Sequence, residues 1–345
     1  MSEKIAEGFG NNGELCEYHY SFVQDGKLTL VGRKYVAQPN HNWGHRVAFA
    51  GTYVLTFDKE SNKWERHDFP ELVSEENSEE VLFVRDNQLY LLAFVNFGAI
   101  GFQKLFRWDS NSFNEVLLNA PETKTLTETQ RFEVIAAAGT SSNGETILLL
   151  KDDNCHIQIY SLTVNGASST VENISQIHSD DNHLVTKIVQ EFYNIKNCFQ
   201  RGSPVIAETV NDKVLISYAV HGCGFNWEKT RFFVFDLKSK TARHVDIEGE
   251  YSSLPQYGFV GPNCSFVDKK TNSFIVAGGR VQKGMTGSAF YGAVWALKGN
   301  IFDDKSTLEW VQLPQTVEEG EHIFDGSTLY TVNKAAVSKV QLDSI

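Results

Sequence analysis

Apolar and polar residues along this chain alternate in short blocks, without a helical period. The clearest block is Thr52-Tyr53-Val54-Leu55-Thr56-Phe57-Asp58, an apolar run closed by an acid. It is followed by the polar stretch Lys59-Glu60-Ser61-Asn62-Lys63, then Trp64, then Phe69-Pro70. A run rich in β-branched and aromatic residues and bounded by turn formers predicts a hairpin of two strands. Weaker copies end at Trp108-Asp109, Tyr160-Ser161, Phe235-Asp236, Leu297-Lys298 and Leu342-Asp343. Some strands are apolar on both faces, as in Val214-Leu215-Ile216 and Phe232-Phe233-Val234-Phe235. That pattern suits sheets packed between two neighbours better than a sheet with one wet face.

The end markers lie 51, 52, 75, 62 and 45 residues apart. Repetition at roughly 40 to 50 residues, in segments that are all strand and turn, is the signature of a β-propeller of four-stranded blades. The pattern predicts an all-β, six-bladed propeller filling residues 1–345 as a single domain. Turn dipeptides punctuate the first hairpin of each blade: Asp25-Gly26, Asp86-Asn87, Asn143-Gly144, Asn211-Asp212, Thr271-Asn272 and Asp325-Gly326. The sixth copy lacks a fourth strand, and an uncovered sheet edge is a template for aggregation. The segment 1–12 is expected to supply that strand and close the ring. The longest interval contains residues 178–203, read as an insertion between the third and fourth blades. Long connections are often functional, and padding of the rim is the plainer reading.

The repeats resemble kelch repeats, in which an apolar strand ends in Gly-Gly, a Tyr precedes the third strand and a Trp follows a terminal Asp. The fifth copy carries Ile275-Val276-Ala277-Gly278-Gly279, then Tyr291, Trp295 and Trp310; the first supplies Asp58 and Trp64. In the other copies the Gly pair is missing, and side chains are expected to fill its place. A WD40 assignment finds no repeat of its own, since Trp108-Asp109 stands alone. The resemblance implies a kelch-like propeller, and such propellers often act as substrate receptors.

Composition narrows the partners. The formal charge of −12 disfavours nucleic acid, whose binding depends on lysines and arginines replacing condensed counterions, and disfavours anionic membranes for the same reason. The opening residues are polar, no apolar run reaches membrane-spanning length, and the five cysteines form no C-x-x-C pair. A cytosolic or nuclear location is expected, with a protein or peptide partner, for which the acidic charge favours a basic one, and no cofactor.

Candidate chemistry lies in the loops between second and third strands, which share one face of a propeller around its channel mouth. Trp43, His45, Arg46, Phe97, Phe102, His221, Phe225, Trp227, Arg280 and Met285 are expected there as a partner-binding surface, because aromatics, Arg and Met are enriched at binding hot spots. The competing reading is that these loops pack on one another. His41, His45, His221 and Cys223 have zinc-type donors but no ligand-like spacing, so no metal site is expected. No G-x-S-x-G, H-E-x-x-H or phosphate-binding loop is present. The leading expectation is a stand-alone adaptor; the alternative is a metal-dependent or small-ligand-binding propeller enzyme with its site at the channel mouth.

Overall fold

The computed structural model describes residues 3–8, 15–37, 47–69, 78–85, 88–95, 99–109, 111–120, 124–125, 132–138, 145–152, 157–177, 206–210, 212–220, 229–239, 241–248, 264–283 and 287–342. The architecture is all-β. Strand β1 (Glu3–Glu7) precedes sheet one, which contains β2 (Leu15–Gln24), β3 (Lys27–Ala37), β4 (Val47–Asp58) and β5 (Lys63–Phe69). Sheet two contains β6 (Ser78–Arg85), β7 (Gln88–Val95), β8 (Ala99–Trp108) and β9 (Phe113–Asn119), with β10 (Lys124–Thr125) pairing back onto β8. Sheet three contains β11 (Phe132–Ala138), β12 (Glu145–Asp152), β13 (Ile157–Asn165) and β14 (Ser168–Ile177). Sheet four contains β15 (Ile206–Val210), β16 (Lys213–Val220), β17 (Lys229–Asp236) and β18 (Thr241–His244). Sheet five contains β19 (Cys264–Asp268), β20 (Ser273–Ala277), β23 (Ala293–Lys298) and β24 (Glu309–Thr316). The ribbon β21 (Arg280–Lys283) and β22 (Gly287–Phe290) rises between β20 and β23. Sheet six contains β25 (Glu321–Asp325), β26 (Thr328–Val332) and β27 (Ala336–Gln341), and its fourth strand is β1, antiparallel to β27.

Local chemistry explains these hairpins. Asp25 and Gly26 both have positive φ, 48° and 75°, the geometry of a primed turn whose twist matches that of the strands it joins. The acids that end the apolar runs have a defined task. Asp58 Oδ1 accepts hydrogen bonds from the Glu60 and Ser61 backbone N–H groups, and Asp236 Oδ1 does the same for Lys238 and Ser239. Such Asx turns tie the chain into the next strand. They also hold both carboxyls below the usual carboxylate range.

The sheets pack face to face. β2 lies against β25, β25 against β19, β19 against β15, β15 against β11, and β11 against β6. Phe22, Val31 and Val54 of sheet one meet Leu89 and Trp108 of sheet two in a shared apolar cluster. Leu28, Tyr53 and Phe57 of sheet one likewise meet Ile323, Tyr330 and Val337 of sheet six. Each large side chain buried in this way contributes about 1.5–3 kcal/mol. Sheets two and three are two halves of one nine-stranded sheet, joined edge to edge by the parallel pairing of β14 with β9.

Trp64, the aromatic that follows Asp58, has a double role. Its ring packs on Phe57 at 5.0 Å, and its Nε1–H donates to the Glu7 carbonyl at 3.1 Å. With half-buried Ile5 and Ala6 and the Lys339–Glu3 ion pair at 3.5 Å, this bond holds β1 on the edge of sheet six.

Candidate functional site

The polar site that the described residues build lies where sheet five's glycine pair meets the start of β25. Gly278 and Gly279 follow β20 with φ of 59° and 141°, both left-handed. A Cβ on Gly278 would stand 2.7 Å from His322 Cε1 and 3.3 Å from the Phe290 ring, so a side chain there would displace the imidazole. The chain then leaves sheet five through Val317, whose N–H donates to the Gly292 carbonyl at 2.8 Å, and turns through Glu318, Glu319 and Gly320 into β25. Ser338 Oγ donates to Glu318 Oε2 at 3.1 Å, and Asn333 Nδ2 donates to the Glu319 carbonyl at 3.0 Å, which fixes this connection on sheet six.

Successive strand residues face opposite ways, so the first two residues of β25 look in different directions. His322 shares a face with Phe324, which stacks on Phe266 of sheet five at 3.8 Å. Glu321 shares a face with Ile323, which packs into the cluster shared with sheet one. The His322 backbone carbonyl accepts the Ser21 hydroxyl of β2 at 3.2 Å, so this one residue touches sheets one and five together.

His322 is 2% exposed. Burial pushes its pKa down to about 4, against a partial opposing effect from the Glu318 carbonyl, so the ring is neutral at physiological pH. Nε2 lies 3.0 Å from that carbonyl and therefore carries the proton, which leaves Nδ1 a bare acceptor. Nδ1 is buried with no hydrogen-bond partner. The ring lies parallel to Phe290, at the foot of the β21–β22 ribbon.

Glu321 is perturbed in the opposite sense. Burial alone raises its carboxyl to about 7, and no described residue offers it a compensating hydrogen bond. A carboxyl that still holds its proton near neutral pH can donate it, which ordinary surface glutamates cannot do. Among the described residues, no three His, Cys, Asp or Glu side chains converge as a metal-holding group.

Of the residues expected at the recognition face, Phe102 and Arg280 are among the described ones. Phe102 is placed on β8, not on a loop, and packs edge-on against Tyr160 at 5.0 Å in the seam between sheets two and three. Arg280 is on β21: the segment 280–290, expected as a loop, contains the ribbon, whose strands are too short to announce themselves by alternation. Trp43, His45, Arg46, Phe97, His221, Phe225, Trp227 and Met285 lie outside the described residues, as do His41, Cys223 and the segment 178–203. Sequence reasoning missed Glu321 and His322. The available signal was a Glu-His pair at the first positions of an otherwise apolar inner strand, just after Glu318-Glu319-Gly320.

No family model and no curated protein matches the sequence. Solved structures do resemble the fold. The chain is similar to an α-L-arabinanase of Penicillium chrysogenum complexed with arabinobiose, at 9% identity and TM-score 0.49, over 99% of this chain and 98% of that one. It is similar to a family GH43 β-1,3-galactosidase with galactodeoxynojirimycin, at 10% identity and TM-score 0.47, over 90% and 99%. It is also similar to the β-propeller domain of Nup133 from Vanderwaltozyma polyspora, at 10% identity and TM-score 0.40, over 94% and 100%. The adaptor expectation is corrected on the surface itself: Leu117 is the one large hydrophobic side chain exposed among the described residues, so they present no apolar docking patch. At such low identity these likenesses carry nothing about function; the antiparallel sheets and the seams between them describe an all-β, propeller-like fold on their own.

Proposed function

We propose that the six sheets form a closed ring of six blades completed by β1, and that the ring binds a small neutral ligand at the channel end where β25 begins. Glu321 is the proton donor of this site. The ring is supported by the seams that run from sheet to sheet and by the pairing of β1 with β27. The kelch likeness belongs to the same reading, supported by the Gly278-Gly279 pair that His322 requires.

The observation that carries the functional reading is the half-buried Glu321 carboxyl at the start of β25, whose partial desolvation raises its pKa to about 7. Acid–base catalysis works best when the donor's pKa lies near the working pH. A neutral ligand fits a protein whose net charge of −12 repels anions.

The test is a thermal-shift and turnover screen of the purified protein, with arabinobiose and β-1,3-linked galactosides as first probes. A turned-over probe should lose about 10²–10⁴-fold in kcat with Glu321→Gln, while its Kd stays within a few fold. The rate of the unaltered protein should fall as pH rises through about 7. A variant that turns over its substrate as fast as the unaltered protein removes Glu321 from the chemistry.

A further inference from the structure

A second site lies at the seam of sheets four and five, around the turns that join β15 to β16 and β19 to β20. A cavity of about 200 Å³ is lined by Val210, Lys213, Asn272, Asn300, Phe302 and Asp303. The loop after β23 forms one wall. Ile301 and Phe302 turn inward and are buried in the core of the seam. The loop is held rigidly: Asn300 Oδ1 accepts the Phe302 N–H at 3.1 Å, Ser306 Oγ accepts the Asn300 N–H at 3.0 Å, and the Ile301 N–H donates to the Asn272 carbonyl at 3.1 Å. Arg243 donates to the Ile301 carbonyl at 3.0 Å.

The polar groups on the cavity wall are only partly used. Lys213 Nζ donates to the Phe302 carbonyl at 2.9 Å, and an ammonium has three N–H bonds to give. Among the described residues, the Asn272 side-chain amide and Asn300 Nδ2 make no hydrogen bond. Asp303 Oδ1 accepts the Lys305 N–H at 3.0 Å, which leaves Oδ2 uncommitted.

The surrounding charges exclude simple ions of either sign. An anion drawn to Lys213 would also meet Asp303, and Asp236, which faces Lys213 across β16 and β17. A cation drawn to Asp303 would meet Lys213, with Arg243 bound to the same loop. A ligand carrying both charges a few ångströms apart satisfies both, with the amides taking its remaining lone pairs and Val210 and Phe302 facing a short apolar side chain. We propose that this cavity binds a small zwitterion of the free amino-acid type, with its carboxylate on Lys213 and its ammonium on Asp303.

L-Alanine is the probe, titrated by ligand-observed NMR and calorimetry against the full chain. Saturable binding with a Kd of about 1 mM is expected for so few atoms. Propionate and ethylammonium, each with one of the two charges, should bind at least about tenfold more weakly. Asp303→Asn keeps the acceptor for Lys305 and leaves the fold intact, so its expected loss of about tenfold reports on charge alone. Lys213→Met should lose as much, whereas Glu321→Gln should leave alanine binding unchanged, which separates this site from the proposed catalytic one. Absence of saturation by alanine, or propionate binding as tightly as alanine, overturns the proposal.

Discussion

Sheet five is packed on both sides, and its two seams are built from different material. Toward sheet four the contact is aromatic: Phe232 meets Phe274 edge-on at 4.8 Å, and Trp310 closes over both. Toward sheet six Phe266 stacks on Phe324 at 3.8 Å among aliphatic side chains, and a glycine pair beside them makes room for a buried imidazole. The first seam gains stability from area and dispersion. The second combines apolar packing with two groups whose protonation is far from ordinary.

That contrast can be broken most forcefully at the aromatic seam. Phe274→Ala should cost about 3–5 kcal/mol, read as a lowered urea midpoint, because a ring that is 1% exposed leaves a cavity its neighbours cannot fill. Gly278→Ala should cost about 1–3 kcal/mol through its left-handed φ alone, and the added methyl should also shift the His322 ring resonances. The aromatic-seam variant should leave those resonances in place. Trp64→Phe keeps the packing on Phe57 and removes the hydrogen bond to Glu7; a loss of about 1 kcal/mol is expected, with hydrogen exchange accelerated in β1.

The subtlest prediction concerns pH. The Glu321 carboxyl binds its proton more tightly in the folded chain, about 7 against 4.5, so its contribution to stability is full below pH 4.5 and is lost as pH rises to about 7. His322 moves oppositely, from 6.5 to about 4: its contribution is present above 6.5 and is lost as pH falls to about 4. Glu321→Gln should therefore flatten the decline of melting temperature between pH 5 and 8, with its largest gain over the unaltered protein at the alkaline end. An unchanged slope would mean that this carboxyl is better solvated than its burial implies.

Much of the strand grammar was legible in the chain. The turn dipeptides Asp25-Gly26, Thr271-Asn272 and Asp325-Gly326 sit between β2 and β3, β19 and β20, and β25 and β26 as expected, because apolar runs between turn formers leave little freedom of register. The missing strand of the sixth copy pointed to segment 1–12, and β1 occupies that edge. Features set by tertiary approach were not legible. The parallel pairing of β9 with β14 and the return of β10 onto β8 join segments whose own patterns say nothing of each other. The displaced acidity of Glu321 is likewise a property of its neighbours' exclusion of water, and no local motif encodes it.

The edge position of β1 sets an order of events during synthesis. Among the described strands it is the first to leave the ribosome, and its partner β27 is the last. Until β27 exists, residues Glu3–Glu7 have no ladder to join, and sheet six has three strands with a bare flank. Contacts of such sequence separation form slowly. The emerging chain must therefore carry β1 unmatched until β27 is made, and a bulky group placed just before Glu3 would hinder the pairing of the two strands.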